Sequence, residues 1–101
     1  MITMTKIDEK IEQMIQHYEK AYENMGVLVY RNGEVIDGDT PSIWTNQAKL
    51  YVEYWEDEIE DFEYFLEDIL DIKFQEVATM IVTVIYFTNN RTLLINNLQW
   101  I

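Results

Sequence analysis

Cysteine is absent from this 101-residue sequence, proline occurs once and glycine three times. Without thiols there is neither a disulfide framework nor a thiolate metal site, which fits a reducing cytoplasm. Gly26, Gly33 and Gly38 each sit in a turn-like setting, so no glycine-rich phosphate loop exists. Basic side chains are scarce as well: seven Lys and Arg stand against nineteen Asp and Glu, a net charge of −12. Such a charge repels nucleic acid and anionic membranes alike and makes a basic protein surface the natural counterpart. No long apolar run occurs either. Residues 80–87 are interrupted by Thr83 and fall far short of a membrane span. The first six residues lack the basic and apolar blocks of a signal peptide, so a cytoplasmic location is expected.

The groups that catalysis needs are also few. The chain has one serine, Ser42, and one histidine, His17, the latter at the edge of an apolar helical stripe where a surface histidine is expected. Nucleophilic catalysis requires a nucleophile beside a base, and these two give no such pairing in sequence. Asp37-Gly38-Asp39 is suggestive of a calcium loop but lacks the spacing and terminal Glu of an EF-hand. The residue three before His17 is Met14, so the Glu-x-x-His pattern of a di-iron helix is missing. The expectation is a non-enzyme without metal or cofactor. An Mg²⁺ enzyme built on paired carboxylates such as Glu53 and Asp57 stands as a distant alternative.

What is present is apolar and aromatic: 49% of residues are hydrophobic, including seven Tyr, four Phe and three Trp. That suffices for one domain over residues 1–101. Residues 5–25 read as an amphipathic helix, with Ile7, Ile11, Met14, Ile15, Tyr18, Tyr22 and Met25 on one stripe. Thr5 is placed to cap it and Gly26 to stop it. Asn32-Gly33 between two apolar runs in residues 27–36 predicts a hairpin. From Ile43 to Ile72, apolar residues step by threes and fours, which predicts one long helix or two, capped by Thr40 or Ser42 with Pro41 in its first turn. The β-branched run in residues 77–88 predicts a strand, Asn89-Asn90 a turn and residues 92–95 a returning strand. A third helix over residues 73–87 is the competing reading of that stretch. The order α-β-β-α-β-β implies an α+β domain with helices packed on one antiparallel sheet.

Charge is concentrated in the second predicted helix. Ten acids and no base lie between Glu53 and Asp71: Glu53, Glu56, Asp57, Glu58, Glu60, Asp61, Glu63, Glu67, Asp68 and Asp71. With Trp55, Ile59, Phe62, Leu66 and Ile69 turned to the core, the helical wheel puts Glu53, Asp57, Glu60, Glu67, Asp68 and Asp71 outside, around Tyr64. Glu56 and Asp61 flank this face. Like charges at i, i+4 destabilise a helix by a few tenths of a kcal/mol each, which suggests a role that requires negative charge. A row of carboxylates with aromatics among them could meet the Arg and Lys of a nucleic-acid groove.

The segment Glu53-Tyr54-Trp55-Glu56-Asp57-Glu58, in a small, cysteine-free, very acidic chain, resembles phage-encoded inhibitors of bacterial defence, anti-CRISPR proteins above all. It is also similar to acidic immunity proteins that neutralise nuclease toxins. The resemblance rests on charge, size and element order and carries over no individual residue. It implies action inside a bacterial host cell and a basic partner, a nucleic-acid-binding effector nuclease blocked by DNA mimicry. The alternative expectation is a homo-oligomeric assembly protein, a homodimer through the apolar C-terminal segment, with acids that merely solubilise it.

Overall fold

The computed structural model describes residues 6–24, 27–36, 40–77 and 80–98. It has one α-helix, α1 (Lys6–Asn24), followed by eight strands: β1 (Val27–Arg31), β2 (Glu34–Ile36), β3 (Ser42–Thr45), β4 (Lys49–Glu53), β5 (Phe62–Phe65), β6 (Ile69–Val77), β7 (Met80–Phe87) and β8 (Thr92–Leu98). The strands form two antiparallel sheets, a five-stranded one in the order β2-β1-β8-β7-β6 and a three-stranded one in the order β3-β4-β5.

The first helix and the first hairpin form where their local signals are strongest. Along α1, Ile11, Met14 and Tyr18 are buried at i, i+3 and i+7, one stripe of an amphipathic helix. The Tyr18 hydroxyl donates to the Pro41 carbonyl, which ties the helix to the chain entering β3. The proposed Thr5 cap, the Gly26 stop and the Asp37-Gly38-Asp39 loop lie outside the described residues. Asn32 and Gly33 join β1 to β2 with φ of 51° and 86°, as a type I′ turn requires. Asn89 and Asn90, at φ 61° and 58°, form a second left-handed turn between β7 and β8. Asparagine tolerates this region better than other side chains with a Cβ.

The fold differs from the expected α+β arrangement. Residues 43–72 form no α-helix; they contain β3, β4, β5, a 3₁₀ turn at Leu66–Asp68 and the start of β6. The competing helix over residues 73–87 is overturned too, since the described residues of that stretch, 73–77 and 80–87, lie in β6 and β7. The domain is therefore mostly β, with a single helix. The physical reason lies in residue type and charge. Ile43, Thr45 and Val52 are β-branched and Trp44 and Tyr51 are aromatic, side chains that fit a pleated surface. Asn46 then makes a turn: its Oδ1 accepts from the Ala48 and Lys49 amides at 2.8 Å each, and its own amide donates to the Lys49 carbonyl at 3.0 Å. The clustered acids that a helix would force together at i, i+4 are spread along strands and a loop instead. Thr40, expected as a helix cap, accepts the Val27 amide at 3.1 Å through its hydroxyl.

Burial alternates along these short strands. Leu50 and Val52 face inward on β4, as do Phe62 and Tyr64 on β5. They meet Val29, Ile72, Ile85, Phe87, Leu93 and Ile95 of the large sheet and Met14 of α1 in one apolar cluster. Tyr64 stacks on Phe87 with ring centroids 4.1 Å apart, joining the two sheets face to face. Thr83, between Phe74 and Ile95 on the same inner face, is fully buried and its hydroxyl finds no partner among the described residues. Thr83→Val keeps the shape and removes that unsatisfied group. It is expected to stabilise the protein by about 1 kcal/mol, raising the thermal midpoint by roughly 4–8 °C in a calorimetric scan.

Candidate functional site

β4 and β5 are joined by the segment 54–61, where the acid density is highest. Tyr54-Trp55-Glu56-Asp57-Glu58-Ile59-Glu60-Asp61 contains five acids, and Glu53 adds a sixth at the end of β4. The loop closes on itself. Asp61 Oδ1 accepts the Tyr54 amide at 2.7 Å, and the Ile59 amide donates to the Glu56 carbonyl at 3.1 Å. Tyr54 and Ile59 are half-buried at its base, with the Tyr54 ring tilted against Phe62 at 6.4 Å. Asp57, Glu58, Glu60 and Asp61 are exposed above that base, and Trp55 is 81% exposed.

The outward side of the three-stranded sheet continues this surface. Trp44 and Tyr51 are directly opposite on β3 and β4, their rings stacked at 4.1 Å. Tyr51 is opposite Glu63, and Ser42 opposite Glu53. The Trp44 indole N–H donates to Glu53. Lys49 pairs with Glu63 at 2.9 Å and lies over the Phe65 ring at 4.9 Å. This hydrogen bond to Glu63 raises the Lys49 ammonium above its ordinary value. Arg31 of β1 lies over Phe62 at 4.9 Å and lines a shallow groove with Trp44, Tyr51, Glu53, Asp61 and Glu63. The whole patch combines acids with exposed aromatic area.

The candidate residues expected on one helical face are divided among several places. Glu53, Glu56, Asp57, Glu60 and Asp61 come together on β4 and its loop. Glu67 is exposed in the 3₁₀ turn after β5. Tyr64, expected at the centre of the outer face, is buried at 5% exposure, and burial pushes its phenol up against the opposing pull of Arg31 and Arg91. Asp68 faces Arg91 at 3.3 Å, and Asp71 on β6 pairs with Lys10 of α1 at 2.9 Å. Asp71 also accepts the Ile72 amide at 2.8 Å. The Lys10 hydrogen bond, followed by that of the Ile72 amide, holds its carboxyl below the usual range. Asp68 and Asp71 are structural ion-pair partners, away from the loop.

Phe62 is in the core as expected, but Trp44 and Trp55 are not. Trp55, assigned to the buried stripe, is the most exposed large apolar residue described, and Trp44 is 41% exposed. The signal for both was local: in a strand whose neighbours Ile43 and Thr45 alternate with it, Trp44 falls on the outer face. His17, expected at the surface, is half-buried and meets the Phe74 ring edge-on at 5.3 Å.

Tyr54 gives the loop base a measurable signature. Burial first and the Glu56 charge second push its phenol from 10.0 up to about 12. A raised phenol pKa favours the neutral form in the folded state. Its contribution to stability is therefore complete below pH 10 and is lost as pH rises from 10 towards about 12. In an ultraviolet pH titration, Tyr54 should ionise late and together with unfolding. Tyr54→Phe should remove that late step without lowering stability at pH 7, because the buried hydroxyl has no hydrogen-bond partner among the described residues.

No helix among the described residues is long and apolar enough to cross a membrane. No protein-family model, curated protein or solved structure matches the chain.

Proposed function

We propose that this protein is a non-catalytic inhibitor that docks the loop 54–61 and the outer face of β3–β4–β5 onto the basic nucleic-acid-binding surface of a nuclease. The observation that carries the reading is the closed loop itself. Asp61 clamps the Tyr54 amide, so Asp57, Glu58 and Glu60 are held out on a constrained backbone beside the exposed indole of Trp55. Fixed carboxylates steer a basic partner into encounter and form charge-assisted bonds with its Arg and Lys. An aromatic side chain among them supplies the apolar contact area that acids lack. A constrained loop loses less conformational freedom on binding than an open one.

The mimicry is of charge density, not of a regular phosphate line, because the carboxylates sit on a loop and not at helical intervals. Competition with DNA or RNA for the same basic site is the mechanism this arrangement serves, as in anti-CRISPR proteins that occupy an effector's nucleic-acid channel. The test is capture of host proteins on the immobilised full chain at about 50 mM and 500 mM salt, with a charge-reversed loop variant alongside. A nuclease retained at low salt, released at high salt and displaced by duplex DNA supports the proposal. A nuclease equally retained by the charge-reversed loop overturns it.

A further inference from the structure

The five-stranded sheet has a second face. Side chains at paired positions lie on the same side of an antiparallel sheet, so the register gives that face row by row. One row is Leu28, Asn96, Val82 and Gln75; the next is Val35, Tyr30, Leu94, Val84 and Lys73; a third is Thr92, Tyr86 and Asp71. The buried residues of α1 and of the small sheet belong to the cluster on the opposite face. Described elements approach these rows at their edges, where Lys10 of α1 pairs with Asp71 and the loop residues Glu58, Ile59 and Glu60 line a groove with Val35. Val35 is 50% and Tyr86 37% exposed, and the central Leu28, Tyr30, Val82, Val84 and Leu94 are half-buried.

Charge is distributed as unevenly as burial. Of 26 charged residues in a chain of net charge −12, these rows hold only Lys73 and Asp71, and Asp71 is paired with Lys10 of α1 at the β6 edge. A solvated sheet face on so acidic a protein would be the natural place for acids, and antiparallel sheets with one wet face normally alternate apolar with polar. Here the outward positions of β1, β7 and β8 are instead mostly Leu, Val and Tyr.

We infer that this face binds a second copy of the same chain, sheet against sheet. Charge selects the occupant: two copies of a −12 protein repel over most of their surfaces, and this neutral apolar face is where they can approach to the roughly 10 Å of packed sheets. Size agrees. Five strands about 4.8 Å apart and about six residues long project to roughly 24 by 20 Å. That rectangle is about 480 Å² per copy, on the scale of the roughly 1,000 Å² in total that a specific interface clears. A twofold axis would set the same rows of both copies against each other. At its β2 edge the face borders the loop 54–61, whose Glu58, Ile59 and Glu60 line one groove with Val35.

Sedimentation equilibrium of the full chain across micromolar concentrations, at about 50 mM and 500 mM salt, tests this. The expected result is a species of twice 12.2 kDa that tightens as salt screens the repulsion between copies. Docking of the acidic loop on a basic partner weakens with salt, so the opposite sign separates a failure of this inference from a failure of the inhibitor reading. Val84→Lys, at the centre and opposite Lys73, is expected to weaken self-association at least tenfold by placing an ammonium in the buried interface, although it lowers the net negative charge of each copy. Val35→Lys, on the exposed short strand β2, serves if the central variant does not fold. A 12.2 kDa species at every concentration and both salts overturns the inference, as does a dimer that persists in a folded lysine variant.

Discussion

Phe87→Ala should lower stability by about 3–5 kcal/mol, the range for truncating a buried aromatic. Phe87 is 2% exposed, belongs to the apolar cluster and stacks on Tyr64 of the opposite sheet at 4.1 Å. Its loss removes both apolar burial and the ring pair that joins the layers. Small domains have only about 5–15 kcal/mol in total, so the variant is expected to melt roughly 15–30 °C lower. Two probes should follow the transition. Far-ultraviolet circular dichroism reports on the strands of both sheets and α1, while fluorescence of Trp44 and Trp55, read in a Trp100→Phe background, reports on the small sheet and its loop. The two curves should coincide in the parent and in the variant, because both sheets share one core. A fluorescence transition that precedes the other would mean that the β3–β4–β5 sheet unfolds alone, against the single-core architecture.

Reversing charge on the loop should have the opposite balance of effects. Asp57→Lys, Glu58→Lys and Glu60→Lys together change the loop from five acids and no base to two acids and three bases. With each exposed pair contributing about 0.2–1 kcal/mol, replacing three attractions by three repulsions is expected to weaken docking on a basic partner by about 100-fold. Most of the change at low salt should fall in the association rate, because these charges are exposed and steer the encounter. Stability should remain the same or rise slightly, since all three side chains are exposed and the substitutions relieve repulsion with Glu56 and Asp61. Surface plasmon resonance against the captured nuclease and a thermal melt of the same variant read the two effects separately. Lost binding with an unchanged melt assigns the acids to recognition, whereas lost binding with a lowered melt would assign them to the fold.

The contrast between the readable and unreadable parts of the sequence has a physical basis. α1 was legible because Ile7, Ile11, Met14, Ile15 and Tyr18 sustain one helical period without interruption. The β1–β2 hairpin was legible because Asn32-Gly33 satisfies a narrow backbone requirement. Residues 43–72 misled because each strand there is only four or five residues long, with two inward positions per strand and aromatics on the outward ones. Ile43 and Leu50 are seven apart, two helical turns, and Trp44, Ala48, Tyr51 and Trp55 step by fours and threes. A period of two cannot assert itself over so few residues. The repulsion among i, i+4 acids was itself evidence against the helix. The exposed acids of the site were still legible, because carboxylates rarely enter a core in any conformation. Tyr64 was not, because its side depended entirely on the assumed period.

The pairing of β1 with β8 has a consequence for the time course of synthesis. Val27 pairs with Asn97 and Arg31 with Leu93, so the central sheet joins segments more than sixty residues apart. The β1–β2 hairpin can form early, but its inner neighbour is the last strand described. At the roughly 5–20 residues per second of translation, the hairpin waits about 3–14 s for β8 to be made. Over that interval Val27, Leu28, Val29 and Tyr30 lack the partner that completes the sheet. Pairing across such sequence separation also places the fold among slow topologies. Nascent chains should therefore be most prone to aggregation in the seconds before β8 docks.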